Sequence, residues 1–281
     1  MIRKYKTVKD LLPHISEIYA DYLVCSSLEE TAIKYDTVNY ILRKLFVNNG
    51  LKTVRGYLKY KCNDNFFSNE NEKSFYWAGF IAADGCVRKS SKNSRVLILR
   101  LADKDAEHVT KFKNDLNSDS PIFKRFFTDK TPQHSIQITS SKIYNDLARF
   151  NIVPRKTLIY KFPKWLINHP LMHHFLRGYI DGDGCFRSRL RGKCKKLHVF
   201  MSLRGTESFL TSVQFIFENI VKLNNKISIV FDCKVGKIEY GGNPATSKIT
   251  EFLYKDATIF LQRKYEIAKK SLEIITDRTT L

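Results

Sequence analysis

Two aspartates, Asp84 and Asp183, stand 99 residues apart near the ends of two similar stretches, "YWAGFIAADGCVR" (76–88) and "FLRGYIDGDGCFR" (175–187). One Asp-Gly by itself reads as a turn. Here each closes an apolar stretch with small residues four apart, Gly79 and Ala83 in the first, Gly178 and Gly182 in the second. On a helix that spacing puts both small residues on one face, where two backbones can approach closely. Such a pairing sets the two C-terminal ends side by side, with Gly85 and Gly184 ending the helices. It thereby gathers two carboxylates and two negative helix ends at one seam. That collection is repulsive without a cation, and hard oxygen ligands suit Mg²⁺ or Mn²⁺. The chemistry expected is phosphodiester hydrolysis by metal-activated water, with Asp84 and Asp183 as catalytic metal ligands.

The charge around the aspartates points to the same substrate. The 281-residue chain carries a formal net charge of +20, which favours a polyanionic partner. From Gly85 to Ala102 the charged residues are Arg88, Lys89, Lys92, Arg95 and Arg100. From Gly184 to Thr206 they are Arg187, Arg189, Arg191, Lys193, Lys195, Lys196 and Arg204, and neither stretch holds an acid. Solvated surfaces mix both signs, so these strand-forming stretches read as two DNA-binding flanks of the metal seam. Strands can enter the major groove and read base edges there.

Positioning two such sites needs a duplicated scaffold. After the first motif, "RVLILRLAD", "PIFKRFF" and "HSIQIT" read as strands, and "KDAEHVTKFKNDL" and "SKIYNDLARF" as helices. After the second, "KLHVFMSLRG" is a strand and "TESFLTSVQFIFENIV" a helix. "KISIVFDC" and "KVGKIEYGG" form a hairpin, and "ITEFLYKDATIFLQRKYEIAKKSLEII" is helical throughout. The fold class is α+β: two αββαββα units with pseudo-twofold symmetry.

Ahead of the repeat, "VKDLLPHISEIYADYL" forms a helix with Pro13 near its start. Next, Ser27 with Glu30 makes a capping box for a short helix that turns Leu28, Ala32 and Ile33 inward. Asp36 makes a turn, and Thr37 begins a second helix that buries Val38, Ile41, Leu42 and Leu45 and closes at Asn49-Gly50. This pattern resembles a helix-turn-helix, with Asn39, Tyr40, Arg43 and Lys44 facing outward to phosphates and bases. An ordinary helical hairpin is the plainer alternative. The domains read as 1–62, the helix-turn-helix module; 63–73, a linker rich in Asn, Ser and charge; 74–168, the first unit; and 169–281, the second.

"WAGFIAADG" (77–85) and "LRGYIDGDG" (176–184) are similar to the two LAGLIDADG motifs of single-chain homing endonucleases, and the likeness extends over 74–272. The resemblance implies double-strand DNA cleavage with divalent metal. It also implies that the last acidic residue of each motif, Asp84 or Asp183, is the metal ligand. Ala82 replaces the sixth-position acid that Asp181 keeps; that position is not the ligand in the family. The resemblance further implies a catalytic lysine after each unit's last strand–helix segment: Lys156 in "NIVPRKTLIYKFP" and Lys264 in "FLQRKYE". Surface lysines holding phosphate are the alternative.

Two rival functions stay open: a non-cleaving LAGLIDADG and helix-turn-helix transcription regulator, and an intron RNA maturase. Retention of both aspartates favours the nuclease, and a DNA-reading module favours DNA. An intein is not expected, without a nucleophile at residue 1 or a terminal His-Asn. No apolar run approaches the roughly 18 residues of a membrane span, and "MIRKYKTVKD" has no secretory h-region behind it. The expected partner is double-stranded DNA, with no membrane. The expected state is a monomer in the cytoplasm, or in an organelle's matrix or stroma, and not secreted. The six cysteines form no C-x-x-C pair; Cys194 and His198 lack a second pair to complete a zinc site.

Overall fold

The computed structural model describes residues 5–25, 28–51, 53, 60–89, 94–127, 130–193, 195–224, 227–232 and 235–279. Two compact units divide the chain, Met1–Lys59 and Tyr60–Leu281.

The first unit is helical: α1 (Val8–Leu11), α2 (Ile15–Cys25), α3 (Leu28–Lys34) and α4 (Asn39–Asn48). The single helix expected at 8–23 is two, because Pro13 sits in a 3-10 turn at Leu12–His14 between them. Leu11, Ile18, Tyr22, Ala32, Leu42, Leu45 and Phe46 form its core. Ala32 and Leu42 are inward as expected. Ile33 is not: it is 71% exposed, and Thr31 takes the buried position on the other side of Ala32. Asp36 makes the turn at φ 52°, in the left-handed region. Thr37 precedes α4 and donates to the Lys6 carbonyl at 2.9 Å. Ser27, expected as a cap, lies outside the described residues.

The second unit contains the repeat. Helix α5 (Glu72–Asp84) leads to β1 (Gly85–Lys89), β2 (Arg95–Ala102), α6 (Ala106–Asp115), β3 (Ile122–Phe127), β4 (Lys130–Thr139) and α7 (Ser141–Ala148). Helix α8 (Met172–Asp183) leads to β5 (Gly184–Arg191), β6 (Lys196–Gly205), α9 (Glu207–Asn219), β7 (Val230–Asp232), β8 (Val235–Gly241), α10 (Asn243–Tyr254) and α11 (Gln262–Thr279). Each half makes a four-stranded antiparallel sheet, in the orders β1-β2-β4-β3 and β5-β6-β8-β7. The identical order in both sheets is the repeat made visible. Helices α6 and α7 pack on the first sheet, and α9, α10 and α11 on the second.

Three sequence expectations change here. The segment 63–73 is not a free linker: Phe66 and Phe67 are buried in the unit's core, and α5 starts at Glu72. Among the described residues of 226–233, the expected hairpin strand is limited to Val230–Asp232. The long helix over 249–275 is interrupted between Tyr254 and Gln262, with Asp256 at φ 51°. The interruption has distant partners. Thr258 and Ile259 amides donate to the Glu72 carboxylate at 2.6 and 3.2 Å, and the Leu261 amide donates to Asp181 at 2.8 Å.

Candidate active site and nucleic-acid interface

Helices α5 and α8 are buried on nearly all sides; α5 is largely apolar, while α8 also buries Arg177 and Asp181, which find hydrogen-bond partners there. They meet at Gly79 and Gly178. A Cβ on Gly79 would lie 1.9 Å from the Phe175 carbonyl oxygen, and one on Gly178 would lie 1.9 Å from that of Tyr76. This reciprocity is what a pseudo-twofold axis through the helix pair produces. Further down, a Cβ on Gly182 would meet the Ala83 Cβ at 2.4 Å and the Asp84 carboxylate at 3.5 Å. Gly85 and Gly184 end the helices by turning straight into extended backbone, not through a left-handed cap. Their lack of a side chain is steric: a Cβ would come within 2.5 Å of Ile81 or of the Ile180 carbonyl.

Asp84 and Asp183 are therefore the last residues of two helices in backbone contact. Both keep solvent access, yet the dense surroundings raise both carboxyl pKa values. Asp84 is pushed up to about 6, by burial first and by the charge of Asp183 second, against the pull of Lys264 and Lys156. Burial raises Asp183 while Lys156 and Lys264 draw it down. Among the described residues no cluster of three or more His, Cys, Asp or Glu side chains surrounds a possible metal.

The two lysines sit at the matching places in each half. Arg155, at φ 59°, turns Lys156 inward, and Lys156 Nζ donates to the Gly85 carbonyl at 2.8 Å. Lys264 Nζ lies 3.0, 2.6 and 2.9 Å from the carbonyl oxygens of Ile180, Asp181 and Gly182, and 2.5 Å from that of Gly184. Both are buried. Each thus closes the C-terminal end of the helix that carries its half's aspartate, where a cation suits the dipole. Desolvation lowers both ammonium pKa values, while nearby carboxylates hold them up.

One buried polar cluster was not read from the sequence. Asp181, with 1% exposure, accepts from Tyr76 Oη at 2.8 Å as well as from the Leu261 amide. Tyr76 Oη lies 2.7 Å from His108 Nε2. Since the phenol donates to Asp181, the imidazole must donate to the phenol through Nε2–H. Burial lowers the His108 pKa to about 3, which keeps the ring neutral. In the first half, Ala82 occupies the position of Asp181 and is packed in the core. Asp181 thus joins α8, α5 and the start of α11.

Strand register sorts the basic residues, because directly paired residues share a sheet face. Leu97, Leu99 and Leu101 face the core. Arg88 pairs with Val96 and Arg100 with Ser135, which places both on the opposite, open face. Lys89 pairs with Arg95 on the core side. Arg95 is engaged there, donating to Asn145 at 2.5 Å and stacking 5.4 Å from the Tyr144 ring, so it does not join the open face. Lys92 lies outside the described residues. In the second sheet, Val199, Met201 and Leu203 face the core. Arg187, Arg189, Arg191, Lys196 and Arg204 all fall on the open face. Lys193 and Lys195 lie in the turn between β5 and β6. The open faces also present residues the sequence did not single out: Phe123, Arg125, Gln133, Ser135 and Gln137 in the first, Lys237 and Glu239 in the second. In the first unit, Asn39, Tyr40, Arg43 and Lys44 form the exposed side of α4.

No family model and no curated protein sequence matches the chain. Solved structures do. The LAGLIDADG meganuclease I-AabMI bound to uncleaved DNA is 13% identical, covers 75% of this chain and 92% of its own, and superposes with a TM-score of 0.50. The meganuclease I-SmaMI bound to uncleavable DNA with a TTCT central four gives 14% identity, 71% and 89% coverage and a TM-score of 0.51. The LAGLIDADG homing endonuclease I-GzeII in complex with its DNA target gives 12%, 76%, 93% and 0.51. With two paired motif helices, two sheets of one order and this structural likeness, the chain has the LAGLIDADG homing-endonuclease fold.

Proposed function

We propose that the protein is a site-specific double-strand DNA endonuclease of the homing type that hydrolyses phosphodiester bonds with a divalent metal. One observation carries this reading: the Asp84 carboxyl faces Gly182 across the α5–α8 seam, where burial first and the charge of Asp183 second raise its pKa. Burial holds both carboxyls toward the protonated form, and the charge of Asp183 adds to this at Asp84, which fits a site for Mg²⁺ or Mn²⁺. Such an ion, when bound, offsets both charges and activates water for attack on phosphorus.

The chain's own residues do the remaining work. Lys156 and Lys264 hold the two helix ends that carry the aspartates, and their charges temper the negative potential at the seam. The arginines of the two open faces bind the duplex. Residues on α4 extend the contact from the first unit, with the helix laid in a major groove. One aspartate per half matches the two scissile strands, and a single chain holding both halves acts as a monomer. The DNA-bound state of the three solved structures of this fold supports a duplex partner. Among the described residues no helix is long and apolar enough to cross a membrane.

The test is to select bound duplexes from a random library and incubate the best with wild type, Asp84→Asn and Asp183→Asn, in Mg²⁺ and in EDTA. Double-strand cleavage is expected from the wild type in Mg²⁺ only. Cleavage in EDTA, or by either variant, would falsify the assignment. Tight binding by a wild type that never cuts would favour the regulator.

A further inference from the structure

The open faces of the two sheets carry the same arginine at the same place but support it differently. Arg187 and Arg88 each stand three residues after the motif glycine, and they pair with Phe200 and Val96 respectively. Nearer the seam, the third strand offers Glu239 in the second sheet and Gln137 in the first. Glu239 pairs with Ser202, opposite Cys185; Gln137 pairs with Ile98, opposite Cys86. Arg187 Nη2 donates to Glu239 Oε1, and Lys237 Nζ donates to the other oxygen, Oε2, at 2.7 Å. The guanidinium lies 5.7 Å from the Phe200 ring, which also carries Arg191 at 4.8 Å. Phe200 is 6% exposed, so this backing is solid. Arg88 has neither an ion pair nor an aromatic partner among the described residues.

We propose that Arg187, backed by Phe200, is a specificity-determining residue that reads a guanine in one half of the bound duplex, with Glu239 as its positioning residue. This rests on the DNA-binding reading above and assigns a role within it. A guanidinium presents two N–H groups in a rigid fork that matches O6 and N7 of guanine, whereas a phosphate accepts a cation from many directions. Fixing the fork before the duplex arrives removes the cost of ordering a long side chain and narrows the angles at which it can bond. Two cations share one carboxylate here, so the trio keeps a net positive charge and Arg187 stays attractive to the groove. Arg88, beside a neutral Gln137, binds with less angular restriction and discriminates less.

The experiment uses the full chain and a panel of duplexes in which every base pair of the selected site is changed in turn, with relative affinities measured by competition. Wild type is expected to prefer guanine roughly ten- to a hundredfold at one position. Arg187→Ala and Arg187→Lys should flatten that position alone. Glu239→Gln should reduce the preference there several-fold while affinity for unrelated duplexes holds or rises, since a negative charge facing the phosphates is lost. Gln137→Glu should sharpen guanine preference at the pseudo-symmetric position, a gain that mere damage to the fold cannot produce. If Arg187→Ala weakens all duplexes equally, Arg187 is a phosphate contact and the proposal is overturned. An unchanged profile in Glu239→Gln overturns the positioning role. A wild type that binds no duplex removes the DNA reading itself, and this inference with it.

Discussion

Gly182 faces Ala83 across the helix seam so closely that a methyl group there would lie 2.4 Å from the Ala83 Cβ and in ordinary contact, 3.5 Å, with the Asp84 carboxylate. The contact couples packing to chemistry, because the residue after Gly182 is the second aspartate. Gly182→Ala should destabilise the protein by about 1–3 kcal/mol, the usual cost of overpacking. Ala83→Gly removes the opposing methyl, so the double variant should recover most of the loss. Denaturant unfolding of the four proteins in this cycle measures the coupling. Additive losses would mean that the helices do not touch at this point.

The aspartate pair sets a pH dependence whose sign follows from the raised pKa of Asp84. A carboxyl with a folded pKa of about 6, against an ordinary value of 3.8, binds its proton more tightly in the folded state. Its contribution to stability is present below the unfolded value and is lost as pH rises through about 6. Without metal, Asp84→Asn should therefore raise the unfolding midpoint at about pH 8, by on the order of 2 °C, and leave it nearly unchanged at about pH 4. Mg²⁺ should raise the wild-type midpoint at about pH 8 but not at about pH 5, where the proton competes for the same oxygens. A midpoint in Asp84→Asn that fell in the alkaline sample would contradict this electrostatic account.

Lys264 reaches more carbonyl oxygens than Lys156 does, and the difference is measurable. Replacing Lys264 by Met strands buried acceptors at the end of α8 and should cost about 1–3 kcal/mol, more than Lys156→Met costs. If their charge also acts on the developing phosphate charge, each variant should slow single-turnover cleavage roughly 10²-fold at saturating DNA. Loss of stability with an unchanged cleavage rate would assign the lysines to helix capping alone.

The parts of this site that were legible in sequence are those encoded by local spacing. Gly79, Gly178 and the two terminal aspartates lie on single helices, so a four-residue interval was enough to place the small residues on one face. What escaped depends on partners far away in the chain. Lys89 and Arg95 read like Arg88 and Arg100, but register puts them on the core side, where Asn145 and Tyr144 engage Arg95. Glu239 is 52 residues from Arg187, and only the pairing of β5, β6 and β8 brings them together. The break before α11 likewise answers to Glu72, 186 residues from Thr258. Helical periodicity ran on past it because Ile259 and Leu261 are apolar and buried for a different reason.

The first unit yields the last prediction. It has its own core, built on Tyr22, Leu42, Leu45 and Phe46, and it ends at Lys59. Phe66 and Phe67 belong to the other unit's core. A deletion meant to remove only the helical module must therefore stop at Lys59, since cutting on to Glu70 would empty that part of the second unit's core. Removing 1–59 should preserve cooperative unfolding of the remainder while shortening the protected stretch of duplex. Arg43 and Lys44 lie on the exposed side of α4, and each phosphate they no longer neutralise should lower the log–log salt slope by about 0.9. Freeing two phosphates would thus flatten the slope by roughly 1.8. Arg43→Ala with Lys44→Ala in the full chain should produce a similar change without shortening the chain. An unchanged footprint and slope in both proteins would make this unit a helical hairpin with no hold on DNA.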